Sequence, residues 1–275
     1  MIVIFYFTGT GNTKYVCDYL SEVMSNKNVN TKAIDITNIT TKKANMLINQ
    51  SNIVFLAYPI YGSDMPENMK AFIQTMPNVK DKILGVICTQ YLFSGDGASI
   101  MYKKLHKKGY NQRWAYQINM PSNLSLKGSP FHQSADYEYH ETKHLQKARI
   151  KIERIAQNIE NNKKRLGDHT IIHKIMAMSQ RPLYSKIERK KYTKALNINY
   201  DKCTTCGLCV DSCPNNVLII ENGRVIFKNR EKCTVCLRCL NFCPQVAITF
   251  NGGNKEPLFK GPTKEIYKQL FKKNK

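Results

Sequence analysis

Eight of the ten cysteines fall in two runs of identical spacing near the end of the 275-residue chain. The first run is Cys203, Cys206, Cys209 and Cys213, the second is Cys233, Cys236, Cys239 and Cys243, and a proline follows each run. The second run begins 30 residues after the first. Thiolates are preferred ligands of iron–sulfur centres, and this is a known spacing for proteins with two clusters. The two runs therefore predict two [4Fe–4S] clusters.

The spacing also predicts which thiols share a cluster. Three cysteines at intervals of three wrap one turn of chain around one cluster, whereas the fourth is carried past it and reaches the other. The proline after each run helps to hold that turn, because it fixes φ and removes a donor. We expect one cluster on Cys203, Cys206, Cys209 and Cys243, and the other on Cys233, Cys236, Cys239 and Cys213.

Zinc and disulfides are the alternative uses of these thiols. A structural zinc site closes at four ligands, so triplets with an outlying Cys-Pro fit zinc poorly. Disulfides belong to oxidising compartments. Nothing in the sequence indicates secretion: no charged leader precedes the first apolar run, and no apolar run approaches 18 residues. We expect a cytoplasmic protein without a membrane span, with Cys17 and Cys88 as buried thiols.

A second candidate site lies at the other end of the sequence. The apolar run Ile2–Phe7 predicts a strand buried on both faces, and Thr8-Gly9-Thr10-Gly11-Asn12-Thr13 follows it. A helix comes next, with apolar residues at helical spacing. Free N–H groups and the helix dipole favour an anion at such a turn, so the loop predicts a phosphate cradle. It lacks both Gly-Lys-Ser/Thr and Gly-x-Gly-x-x-Gly.

Strands and helices alternate over the first 120 residues. The predicted strands are Ile2–Phe7, Thr31–Ile36, Asn52–Tyr58, Lys82–Thr89 and Trp114–Met120, with helices over Lys42–Gln50, after an Asp64 cap, and over Ala98–Lys108. This alternation predicts an α/β, doubly wound parallel sheet covered on both faces. In the order 2-1-3-4-5, the loops after strands 1, 3 and 4 converge at the switch point.

With its Thr-Gly-Thr-Gly-Asn-Thr loop and this order of elements, the chain resembles flavodoxin over residues 1–125. The resemblance implies an FMN whose phosphate lies in the first loop and whose ring lies between the other two, stacked on Tyr61 or Tyr91. The implied FMN-binding residues are Thr8, Gly9, Thr10, Gly11, Asn12, Thr13, Pro59, Ile60, Tyr61, Gly62, Thr89, Gln90, Tyr91, Gly95 and Asp96. The only tryptophan, Trp114, is predicted in a strand instead of a ring-binding loop.

Residues 126–195 are predicted to be a helical connector that packs on the flavodoxin-like domain. Apolar spacing predicts helices over 137–164 and 171–196, the second broken at Arg181-Pro182. Five histidines lie here, but no metalloenzyme motif surrounds them, so a further metal site is not expected; they are His132, His140, His144, His169 and His173.

Residues 196–252 are predicted to be a small α+β dicluster ferredoxin domain, followed by a basic tail over 253–275. Residues 197–200 should pair with 246–250, and a hairpin should turn at Glu221-Asn222-Gly223. The module is too small for a core of its own, so we expect the clusters to staple it. The apolar residues expected to shield them are Leu208, Val210, Val217, Ile219, Val235, Leu237 and Ile248.

The net charge of +22 is spread along the whole chain. Lysines and arginines exceed acids by 13 to 7 over residues 1–126, 16 to 7 over 127–200 and 13 to 6 over 201–275. Solvated lysine-rich faces, steering towards an acidic redox partner and nucleic-acid binding all fit this sign. No nucleic-acid recognition motif accompanies the charge, so that last partner is not expected.

The whole chain resembles the flavodoxin–ferredoxin fusion proteins of anaerobes. The resemblance implies electron transfer between two [4Fe–4S] clusters and FMN, to a protein or a small-molecule acceptor, as in an FMN- and ferredoxin-dependent oxidoreductase. No catalytic acid, base or nucleophile stands out, because the cofactors carry such chemistry. Two alternatives stay open: a ferredoxin-type carrier whose flavodoxin-like domain only docks, and a basic nucleic-acid-binding protein with structural clusters.

Overall fold

The computed structural model describes residues 1–93, 95–126, 141–166, 171–254 and 258–270. His132, His140 and His169, and the predicted helix start at residue 137, lie outside these ranges. The described chain divides into two compact units. Unit 1 comprises Met1–Thr8, Asn12–Met120 and His144–Leu183, and unit 2 comprises Gly9–Gly11, Pro121–Lys143 and Tyr184–Lys275.

Unit 1 is built on a five-stranded parallel sheet. Its strands are β1 (Ile2–Tyr6), β2 (Thr31–Asp35), β3 (Ile53–Pro59), β4 (Lys82–Gln90) and β5 (Tyr110–Asn119). They lie in the order β2-β1-β3-β4-β5, which confirms the predicted flavodoxin-like fold. All of β1 is buried, as a continuous apolar run between helical layers requires. The last strand begins four residues before the predicted Trp114, because Tyr110 already pairs with Lys82.

The helices of unit 1 largely follow the sequence pattern. They are α1 (Asn12–Ser25), α2 (Thr41–Gln50), α3 (Glu67–Thr75), α4 (Tyr102–Lys107), α5 (Gln146–Glu160) and α6 (Ile171–Gln180). The predicted Asp64 cap is wrong: Pro66 is the N-cap of α3, and the Asp64 carboxylate accepts from the Met65 N–H and pairs with Lys70. The helix predicted from Ala98 is shorter, because residues 97–99 form a 3₁₀ turn before α4.

The core of unit 1 contains the only tryptophan. Trp114 is 1% exposed, stacks on Phe55 with ring centroids 5.8 Å apart, and donates from Nε1 to the Lys163 carbonyl. Phe55 passes so close to Gly85 that a Cβ there would lie 2.0 Å from its ring. Helix α5 packs against α1 and β5. Cys17 and Cys88 are fully buried, which confirms their predicted role.

Unit 2 contains short elements around a small core. They are α7 (Lys186–Ala195), β6 (Leu196–Ile198), α8 (Leu208–Asp211), β7 (Leu218–Glu221), β8 (Arg224–Phe227), α9 (Arg238–Phe242), β9 (Ile248–Phe250) and α10 (Lys264–Gln269). β6 pairs with β9 and β7 with β8, both antiparallel, as expected. Asn222 and Gly223 have φ of 50° and 73°, the turn that the hairpin prediction requires.

A 3₁₀ turn, Arg181–Tyr184, separates α6 from α7 at the predicted Arg181-Pro182 break. The first unit's boundary at Leu183 falls within this turn. Among the described residues, no helix combines the length and the apolar character needed to cross a bilayer.

Candidate cluster and flavin sites

Two cavities in unit 2 are each lined by four cysteines. The first is lined by Cys203, Cys206, Cys209 and Cys243. The second is lined by Cys213, Cys233, Cys236 and Cys239. These are the same two sets of four cysteines that the sequence spacing predicts. Within the described residues, no group of three or more His, Cys, Asp or Glu side chains meets closely enough for a single metal ion. The thiols surround a volume instead, which suits a cluster that takes one thiolate at each iron corner.

The backbone repeats its conformation around both cavities. Positive φ occurs at Thr205, Gly207 and Asn216 in the first half, and 30 residues later at Val235, Leu237 and Val246. A β-branched valine in this region is a strained outlier. Such strain persists only where the surroundings fix it, and it concentrates at functional sites. The repeated strain indicates that the loops are shaped around their sulfur ligands rather than by local preference.

Backbone N–H groups point at several of the sulfur atoms. Val217 N lies 3.3 Å from Cys213 Sγ, Val235 N 3.4 Å from Cys233 Sγ and Ala247 N 3.2 Å from Cys243 Sγ. Hydrogen bonds of this kind stabilise negative charge on sulfur and tune a bound cluster.

Burial acts against the thiolate form of these cysteines. It raises the pKa of Cys209 and of Cys233 to about 12 each, with smaller contributions from neighbouring thiols. Burial also raises the pKa of Cys236, and the charge of Arg238 is the largest influence that opposes the rise. The thiols need bound iron to be held as thiolates, because a coordinating thiol is deprotonated by its metal.

Several of the predicted shielding residues line the cavities. Leu208 and Ile248 line the first cavity, and Val217, Val235 and Leu237 line the second. Val210 and Ile219 are partly buried but line neither. A neighbouring cluster of buried apolar residues contains Leu196, Leu240, Ile248, Phe250 and Leu258.

The phosphate-loop residues of unit 1 lie at the carboxyl end of the sheet. Thr8 and Thr13 are buried, and Asn12 begins α1. The Thr13 hydroxyl lies 2.7 Å from the Thr89 hydroxyl, so the first and third predicted FMN loops are joined by a buried hydrogen bond. The loop-tip residues Gly9, Thr10 and Gly11 belong to unit 2, where Asn123 Nδ2 donates to the Thr10 hydroxyl.

The two predicted ring-binding loops meet beside this bond. Ile60 N donates to the Thr89 carbonyl at 2.9 Å, and Pro59, Tyr61 and Gly62 flank it. The loop after β4 is held from β5. Gln117 Nε2 donates to the Gly95 carbonyl and Asn119 Nδ2 to the Tyr91 carbonyl.

Tyr61 and Tyr91 are both partly buried, so both stay candidates for ring stacking. Gln90 Oε1 is buried and accepts no hydrogen bond from the described residues. A free acceptor of this kind suits the N–H at the polar edge of an isoalloxazine ring. The residues present therefore fit FMN.

Two contacts to these loops were not foreseen from the sequence. Arg181 forms an ion pair with Asp96, and the Ser63 hydroxyl donates to Gln180 Oε1 at 2.5 Å. The end of α6 is thus bonded to both ring-binding loops within unit 1. The Arg181-Pro182 break marked the position where the helix ends, but no sequence feature indicated where its arginine would bind.

Two family models match parts of the chain. The flavodoxin domain model matches residues 3–122, and the 4Fe-4S dicluster domain model matches residues 179–248. A search of curated proteins gives no match. Several solved structures align with a little more than half of this chain. Oxidised flavodoxin 2 from Bacillus cereus is 13% identical with a TM-score of 0.42, the alignment covering 58% of this chain and 98% of that one.

Two further structures complete the comparison. Two-electron reduced flavodoxin from Megasphaera elsdenii is 17% identical with a TM-score of 0.40, over 57% of this chain and 99% of that one. Rubredoxin oxygen:oxidoreductase from Desulfovibrio gigas is 16% identical with a TM-score of 0.39, over 57% of this chain but only 36% of that one.

The domain matches define a class of protein. The chain is a fusion of an N-terminal flavodoxin domain with a C-terminal 4Fe-4S dicluster domain. Its cofactors are FMN and two [4Fe–4S] clusters, and the class is one of electron-transfer proteins.

Proposed function

We propose that the protein passes electrons between its two clusters, its FMN and an acidic redox partner. The observation that carries the proposal is the pair of four-cysteine cavities on a chain that also has a flavodoxin domain. When bound, the clusters exchange single electrons, whereas FMN exchanges one or two, so the chain can connect the two kinds of chemistry. A small-molecule acceptor at the flavin is compatible with the same role.

The protein's own residues bind and shield these groups. We assign the cysteines lining each cavity as the ligands of one cluster, with Cys213 and Cys243 each serving the cluster of the other run. The FMN phosphate is assigned to the loop over 8–13, and the ring to 59–62 and 89–96. Thr13, Thr89 and Ile60 hold these loops together, so their hydrogen bonds pre-organise the flavin site.

Iron counting in double variants tests the crossed ligand assignment. In Cys203→Ser/Cys243→Ser both changes fall on one cluster, so about four irons should remain of about eight. In Cys203→Ser/Cys213→Ser the changes fall on different clusters, so we expect most of the iron to be lost. The two variants have the same number of substitutions and serve as matched controls. Four irons in the second variant and none in the first would contradict the crossed assignment.

The function is tested on protein purified without oxygen. We expect about eight irons, about eight sulfides and about one FMN per chain, and bleaching of both chromophores when one reductant is added. Clusters with no bound flavin, even after incubation with FMN, would favour the carrier whose N-terminal domain only docks. Duplex or single-strand binding with a steep salt slope would favour the nucleic-acid alternative.

A basic helix beside the second cavity supports the proposal of an acidic partner. Lys186, Lys190 and Lys194 are exposed and follow one another at intervals of four, which places them on one face of α7. The helix ends at Ala195. The next residue, Leu196, lines the second cavity, and Arg230 donates to the Leu196 carbonyl at 2.9 Å. Tyr184, just before the helix, donates to the Thr234 carbonyl in the ligand loop. A partner docked on α7 would thus lie beside this cavity.

Charge reversal tests this docking face. Lys190→Glu/Lys194→Glu should slow electron exchange with a small acidic ferredoxin by about tenfold at low salt, because steering raises association rates by at least that factor. The control is Lys103→Glu/Lys104→Glu, which makes the same charge change at exposed positions of α4. Stopped-flow rates at several salt concentrations give the comparison. Equal slowing by both variants would mean that net charge, not the α7 face, attracts the partner.

A further inference from the structure

The two four-cysteine cavities are equal in size but differ in charge. Each has an empty volume of about 370 Å³, which includes space open to solvent. The residues lining the first cavity are all uncharged. The residues lining the second include one that is charged, Arg238, which lies between the ligands Cys236 and Cys239 in the sequence. The two halves of the repeat therefore differ in a property that bears directly on a redox centre.

Arg238 is held firmly inside unit 2. The residue is only 6% exposed. Its Nε atom donates to the Gly9 carbonyl at 2.6 Å, and its Nη1 atom donates to the Ser212 carbonyl at 2.9 Å. Arginine stays protonated inside proteins, so a full positive charge is fixed beside this cavity.

The repeat supplies an internal comparison. The residue 30 positions before Arg238 is Leu208, which lines the first cavity. Gly207 and Leu237 precede these two residues, and both have positive φ, so the backbone presents the two side chains in the same way. The difference between the cavities is thus a leucine in one and an arginine in the other, at positions with similar local backbone conformation.

A fixed cation favours whichever redox state of a cluster is more negative. Reduction adds one negative charge, and local charge is among the factors that set cluster potentials. The interior screens such an interaction less than water does. We propose that Arg238 raises the reduction potential of the cluster bound by its own cavity above that of the other cluster. Electrons entering the protein then collect on that cluster. The inference rests on the proposed function's crossed ligand assignment.

Redox titration of matched variants tests the inference. Arg238→Met removes the charge, Arg238→Lys keeps it, and Leu208→Met makes a neutral change at the equivalent position. EPR-monitored titration of anaerobic full-length protein should resolve two midpoints in the wild type. Arg238→Met should lower the upper midpoint potential by at least 59 mV, which is a tenfold change in a one-electron reduction equilibrium. Arg238→Lys should keep most of the difference, and Leu208→Met should leave the upper midpoint unchanged.

A second pair of variants keeps the inference testable if Arg238→Met does not assemble. Cys203→Ser disables the first cluster and Cys233→Ser the second, so each protein reports one remaining midpoint. We expect the Cys203→Ser protein to have the higher one. The inference is overturned by the reverse order, by equal midpoints, or by an Arg238→Met shift that Arg238→Lys reproduces in full. A wild-type protein without about eight irons would instead refute the proposed function itself.

Discussion

Replacing Thr13 or Thr89 by valine should destabilise the flavodoxin domain even in protein that has no bound FMN. The two hydroxyls are 2.7 Å apart, and the residues are 0% and 2% exposed. Valine keeps the shape of threonine but leaves the opposite hydroxyl buried without its partner. That loss costs about 1–3 kcal/mol, whereas replacing both residues by apolar groups of the same shape is nearly neutral. Each single variant should therefore be less stable than the double variant.

Trp114 provides the assay. It is the only tryptophan, it is buried in β5, and its fluorescence reports unfolding of unit 1 alone. With an m-value of about 2 kcal/mol per molar urea, a loss of about 2 kcal/mol moves the midpoint by roughly 1 M. Titrations at two FMN concentrations separate lost affinity from lost intrinsic stability, since ligand binding adds stability that grows with concentration.

A double-mutant cycle tests whether Thr13 and Thr89 stabilise the domain through their shared hydrogen bond. Independent residues give additive effects within about 0.5 kcal/mol. The hydrogen bond predicts a coupling energy well above that limit, with the double variant more stable than the sum of the singles. Single variants as stable as the wild type, or strictly additive losses, would refute the reasoning.

Three other predictions concern glycine, the buried thiols and iron. Gly109→Ala should lower the free energy of unfolding, measured by Trp114 fluorescence, by more than about 1 kcal/mol. The reason is that Gly109 has a φ of +87° and that a Cβ there would lie 1.8 Å from a backbone oxygen. An unchanged urea midpoint would contradict this. Burial raises the pKa of Cys17 and of Cys88, so at about pH 9, where ordinary thiols are mostly ionised, iodoacetamide should label neither until urea is added; labelling in the folded protein, read by peptide mass spectrometry, would contradict their burial. Chelating the iron should open the segment from Leu196 to Phe250 to proteolysis while Trp114 fluorescence stays native; a resistant segment would show that unit 2 folds without clusters.

The sequence predicted the sheet and the cysteine sets for physical reasons. A strand buried on both faces needs a continuous apolar run, so β1 and β3 were visible directly. Cys213 and Cys243 each line the cavity of the other run. This follows from the short-range geometry of the turn after each run, which depends on the spacing of the cysteines. Strand ends were less certain, because pairing with a neighbour extended β5 beyond its apolar pattern.

Side-chain partners over long sequence separations could not be predicted in the same way. Asp64 carries the residue type of a helix cap, yet it binds Lys70 and the adjacent N–H because Pro66 starts the helix. Arg181 reads as an ordinary basic residue before a proline, and only the fold brings Asp96 to it. Arg238 could have been noticed by aligning the two halves of the repeat, since Leu208 stands at the equivalent position.

The backbone strain in unit 2 helps to explain why the spacing of its cysteines predicts so much of its structure. Val235 and Val246 have φ of 52° and 50°, conformations that valine avoids in free chains. The buried apolar cluster of Leu196, Leu240, Ile248, Phe250 and Leu258 is small, and it has to offset both that strain and the ordering of the loops. We expect bonds between thiolate and iron to supply further stabilisation, since metal binding free energy is folding free energy in small domains of this kind. The cysteine spacing that predicts the clusters therefore also predicts the fold of unit 2, because we expect that fold to depend on the clusters.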